Sequence, residues 1–74
     1  MSKRTVKSEI AGTVWKIEAP VGTRVELDDT IMILESMKME IPVLAPCRGT
    51  VAEIRVAETD AVTEGQPVAV VEAG

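Results

Sequence analysis

A chain of 74 residues, with eight basic and twelve acidic side chains and a net charge of −4, is long enough for one small domain and no more. Its single cysteine, Cys47, excludes an internal disulfide, and the absence of any basic stripe after Lys3, Arg4 and Lys7 argues against a nucleic-acid partner. The longest apolar runs, such as Ile31-Met32-Ile33-Leu34, are far too short to span a bilayer, so no membrane partner is expected.

A domain this small has a net stability of roughly 3–5 kcal/mol from its core, so a compact and regular fold is required. Trp15 is the only aromatic residue and Val dominates the apolar set, which favours strands over helices. In chain order, residues 1–7 carry three cations with no apolar run behind them. They are not a signal peptide and read as an N-terminal extension ahead of a domain at 8–73, in a cytoplasmic, reducing location.

From there the chain repeats itself at a gap-free offset of 37 residues. Gly12-Thr13-Val14 falls on Gly49-Thr50-Val51, Ile17 on Ile54, Val25 on Val62, and Ile31-Met32-Ile33-Leu34-Glu35 on Val68-Ala69-Val70-Val71-Glu72. Two copies are too few for a solenoid and suit a closed fold with internal two-fold pseudosymmetry. Each half opens with a strand, Val14 to Ile17 or Val51 to Val56, followed by a turn-rich stretch holding a short Arg24-Val25 or Ala61-Val62 piece. A second apolar strand follows, residues 31–36 or 68–72. Gly65 corresponds to Asp28; both residue types tolerate a left-handed backbone, although ordinary loop drift would give the same pair. Trp15 could mark a binding face, but a single tryptophan beside so weak a core is expected to pack. The fold expected is all-β: a flattened eight-stranded barrel or sandwich of two quasi-symmetric halves.

Between the halves, Met39, Ile41 and Val43 alternate with Glu40, Pro42 and Leu44, which predicts a strand, a tight turn at Met37-Lys38 and a second strand. Met39 is expected to point partly inward with Ile41, and Met37 to sit at the tip. Two-residue hairpin turns favour Asn-Gly, so Met-Lys breaks a local rule, and function is expected where such rules are broken. Taken alone, Lys38 is an ordinary solvated lysine; set between two methionines at a turn it is a candidate for modification.

Glu35-Ser36-Met37-Lys38-Met39-Glu40, with Ile41-Pro42-Val43-Leu44-Ala45-Pro46 and Arg48-Gly49-Thr50-Val51 downstream, resembles the attachment motif of biotinyl domains, the biotin carboxyl carrier branch of the biotin/lipoyl attachment family. The resemblance runs from about residue 8 to 73. It implies the flattened barrel-sandwich hybrid fold, with Lys38 at a hairpin tip carrying biotin as an amide. It also implies three partners, a biotin protein ligase, a biotin carboxylase and a carboxyltransferase, and a carrier that is monomeric in isolation and has no catalytic residues of its own. On this reading Met37 and Met39, with Ser36, meet the ligase unless they pack, and Glu35 and Glu40 contact a partner unless they are solvated strand ends. The gap-free offset leaves no room for the protruding thumb of some relatives. A lipoyl-type acyl carrier or a non-carrier interaction module on the same fold is the alternative, and a free-standing protein is preferred to an excised domain. Cys47 reads as a small apolar residue. With no histidine there is neither a Cys-His nucleophile nor a zinc site, and no pocket is expected to bring carboxylates together.

Overall fold

The computed structural model describes residues 2–74. Eight strands follow one another: β1 (Lys3–Lys7), β2 (Gly12–Ile17), β3 (Arg24–Val25), β4 (Thr30–Ser36), β5 (Met39–Leu44), β6 (Gly49–Ile54), β7 (Ala61–Val62) and β8 (Pro67–Ala73). They form two antiparallel four-stranded sheets, ordered β1-β8-β6-β3 and β5-β4-β2-β7, and the described residues contain no helix. The sheets face each other as a flattened barrel-sandwich in an envelope of 36 × 18 × 17 Å. A groove of about 550 Å³, lined by Ser8, Ile10, Ile41 and Leu44 among others, runs along the open seam between β1 and β5; Lys38, Glu35 and Glu40 do not line it.

The 37-residue offset carries one sheet onto the other, strand for strand. Its hydrogen bonds repeat as well: Gly22 N–H donates to Val51 O at 2.8 Å and Thr59 N–H to Val14 O at 2.7 Å, while Ala45 and Ser8 each exchange two backbone bonds with the opposite turn. Asp28 (φ 71°) and Gly65 (φ 84°) are both left-handed, as their correspondence predicts, and Gly22 (φ 96°) and Thr59 (φ 78°) form a second such pair.

The segment read as an extension takes part in this symmetry. Lys3–Lys7 pairs along β8 and is the counterpart of β5; Val6 is buried as Val43 is, and Ser8 as Ala45 is. The charges that made it look like a tail sit on the exposed positions of an edge strand, where lysine and arginine discourage pairing with another chain.

Bulges explain the departures from strict alternation. The register of β4 against β5 shifts around Ile31, and that of β8 against β1 around Val68, so Ile31-Met32 and Val68-Ala69 are buried in succession. A second bulge pair falls at Trp15 and Ala52. Here the expectation for Trp15 fails. Trp15 is 49% exposed: it follows the buried Val14 and so falls on the outer face, and the bulge between Val14 and Lys16 leaves Lys16 facing outward as well. The core is aliphatic, built on Val14, Ile31, Met32, Leu34, Val51, Val68 and Val71, with Cys47 packed against its margin.

Candidate functional site

The β4–β5 hairpin forms one pole of the molecule. Its last paired residues are Ser36 and Met39, leaving Met37 and Lys38 as a two-residue turn. Their φ angles, 51° and 68°, place both in the left-handed region, the combination a type I′ turn requires and side chains other than Asn, Asp and Gly resist. The sequence expectation of an unfavourable local choice at this spot therefore has a definite geometric content.

The hairpin outruns its support. Thr13 of β2 pairs with Glu35, and β2 begins only one residue earlier, at Gly12. A side chain at Gly12 would put its Cβ 2.6 Å from the Glu35 carbonyl oxygen, so glycine is what lets β2 close on the hairpin base. Gly49 makes the same close approach to the Glu72 carbonyl. Neither glycine has a positive φ; the requirement at both is space rather than a strained turn.

The inner face of β5 opens progressively towards the tip: Val43 is buried, Ile41 partly so, and Met39 is 63% exposed. Met39 keeps the inward phase predicted for it, but the facing sheet provides nothing there to cover it. Met37 is 93% exposed and Lys38 is exposed beside it. Lys38 takes part in neither of the ion pairs among the described residues, Lys16–Glu18 and Arg55–Glu53, and no acceptor is recorded within hydrogen-bond reach of its ammonium. The site thus presents a primary amine flanked by two bare thioethers on a stiff projection.

Glu35 and Glu40 are directly opposed across β4 and β5, both exposed, one pair behind Ser36 and Met39. Like charges so placed repel. The sequence marks Trp15 mainly as a packing residue and gives Ile33 and Pro42 no place at the site. Trp15 is exposed on the outer face of the same sheet, and Ile33 and Pro42 lie beside it in register. Comparing the halves position by position would have marked Trp15, whose counterpart is Ala52.

The model of the family described as "Biotin-requiring enzyme" matches residues 4–71. The biotin/lipoyl attachment protein of Bacillus subtilis (strain 168) is 44% identical over 61 residues, covering 82% of this chain and 84% of the relative. A homolog of biotinylated protein TB7.3 from Mycobacterium leprae is 38% identical over 66 residues, covering 89% and 93%. Among solved structures, the Kluyveromyces lactis urea carboxylase superposes with a TM-score of 0.92 at 38% identity over 97% of this chain, which spans 6% of that protein.

Proposed function

This chain belongs to the biotin/lipoyl attachment family, and we propose that it is a biotin carboxyl carrier, with biotin held as an amide on Lys38. The observation that carries the assignment to Lys38 is its place in an exposed two-residue turn between Met37 and Met39, at the far end of a rigid sandwich. A ligase holds an activated biotin against this amine. The Lys38 ammonium gives up one proton to become the nucleophilic amine, which displaces adenylate from an activated biotinyl carboxyl: an amide bond forms as the acyl–phosphate bond breaks, AMP leaves, and the nitrogen releases a second proton. The long arm that results is carboxylated at a biotin carboxylase site and gives up the carboxyl group at a carboxyltransferase site.

The chain's part in this cycle is mechanical. The turn supplies reach, the sandwich behind it supplies orientation, and acylation converts a charged tip into a neutral one. Relatives named as biotinylated proteins and a neighbour that is a urea carboxylase support biotin as the group and a carboxylase as the setting. On this reading the chemistry belongs to the partners.

The test is intact mass after co-expression with a biotin protein ligase. One biotinyl increment is expected on the parent chain, mapped to Lys38 by peptide digestion, and none on Lys38→Arg, whose guanidinium keeps the charge but is a poor acyl acceptor. A lipoyl increment, or a biotinyl group at Lys3, Lys7 or Lys16, would sink the assignment.

A further inference from the structure

We propose that the outer face of the β5-β4-β2 sheet, centred on Trp15 and the Glu35–Glu40 pair, is the docking surface for the ligase that acylates Lys38; this rests on the carrier reading above. The argument is an internal control that the molecule itself provides. The two sheets impose the same backbone, bulges and pairing on two sets of side chains, so a difference between corresponding positions is one the fold does not require.

Two rows of the outer face differ most. Trp15 and Lys16 oppose Ile33, which opposes Pro42; the corresponding row of the other sheet is Ala52 and Glu53, Val70 and Thr5. The next row towards the tip is Thr13, Glu35 and Glu40, and its counterpart is Thr50, Glu72 and Lys3. The remote sheet thus sets opposite charges across the strands where the tip sheet sets like ones, and alanine where the tip sheet exposes a tryptophan. The like-charge pair works against isolated stability, since opposed like charges repel, and the half-exposed indole leaves apolar surface for a partner to cover. They are the choices a partner would compensate.

The chemistry of acylation identifies the partner. A biotinyl-adenylate carries a phosphate charge, so a site that holds it against Lys38 is lined with cations. Glu35 and Glu40, neither of them in an ion pair among the described residues, face that mouth with the complementary sign, which sets register and speeds encounter. Trp15 supplies a rigid apolar anchor behind them, in the residue type most enriched at the centres of interfaces.

Substitutions borrowed from the other half test this without asking the fold for anything new: Trp15→Ala reproduces Ala52, and Glu40→Lys reproduces the Lys3–Glu72 arrangement. In steady-state biotinylation with purified ligase, the double variant should show KM for the carrier raised by roughly tenfold or more with kcat little changed. The mirror changes Ala52→Trp and Lys3→Glu should leave KM as in the parent. Thermal stability should hold or rise with Glu40→Lys, because a repulsion is removed, and the double variant is assayed well below its own melting temperature, so lost docking cannot be put down to lost structure. As a check independent of turnover, the sole tryptophan of a Lys38→Arg carrier, labelled with 5-fluorotryptophan, should shift its 19F resonance when the ligase is added. An unchanged KM in the double variant, or an unmoved resonance at saturating ligase, would overturn the docking face while Lys38 labelling of the parent left the carrier reading standing. A parent that is never labelled would overturn both.

Discussion

Met37 and Lys38 are held in a conformation their side chains disfavour, between the paired residues Ser36 and Met39. A left-handed backbone costs an ordinary residue about 1–2 kcal/mol. Replacing Met37-Lys38 by Asn-Gly should therefore raise stability by about 1–2 kcal/mol in denaturant unfolding, while removing the acceptor amine altogether. No gain would mean that the turn is not strained and that its sequence is free of this conflict. The exposed methionines follow the same logic: at 93% and 63% exposure they contribute little to the core, which suits the recognition role proposed for them.

Among the elements, β2 and β6 carry the tightest constraints. Gly12→Ala and Gly49→Ala should each lower stability by about 2–4 kcal/mol, because the new methyl meets a backbone carbonyl that cannot move without parting two strands. The two variants should separate in function. Gly12→Ala disturbs the base of the tip hairpin and should slow biotinylation of the folded fraction, whereas Gly49→Ala acts at the other pole and should not. Equal rates in both would show that the hairpin base tolerates displacement. The turns before β3 and β7 offer an opposite case. Thr59 is β-branched at φ 78° where its counterpart is Gly22. Thr59→Gly should raise stability by about 0.5–1 kcal/mol, the relief of left-handed strain exceeding the entropy that glycine loses on folding. A lower melting temperature would mean that the threonine side chain makes a compensating contact.

At the scale of the whole molecule, the pseudo-two-fold sets the tip apart from the place where β1 begins and β8 ends. Ser8, at the end of β1, bonds to Gln66 at the start of β8, and four residues later Gly12 lies beside Glu35 at the hairpin base. β8 therefore starts near the tip and runs away from it, to the Ala73–Ser2 backbone bond at the opposite pole. Because β1 completes one of only two sheets, removing residues 1–7 should do more than trim a tail. It uncovers β8 and exposes Val6's partners, a loss of about 2 kcal/mol or more, which lowers the melting temperature by roughly 10 °C in a domain this small. Melting unchanged by the truncation would restore the view of these residues as an extension.

Much of this architecture is written locally. The 37-residue offset, the strand at Arg24-Val25 and its echo at Ala61-Val62, the left-handed Asp28 and the two-residue turn at Lys38 all follow from turn chemistry and apolar phase, which neighbouring residues determine between themselves. The amine at the tip was legible for the same reason. Three features were not. Lys3–Lys7 looked like a tail because an edge strand shows its charges to solvent, although Val6 and Ser8 repeat the burial of Val43 and Ala45. Trp15 looked like core because a lone aromatic beside a weak core usually packs, although its place next to Val14 gives it the outward phase, and which face of a strand meets the other sheet is decided only by packing. Met39 had the phase of a buried residue, but burial needs a facing surface, and only the packing of one sheet on the other decides where that surface ends.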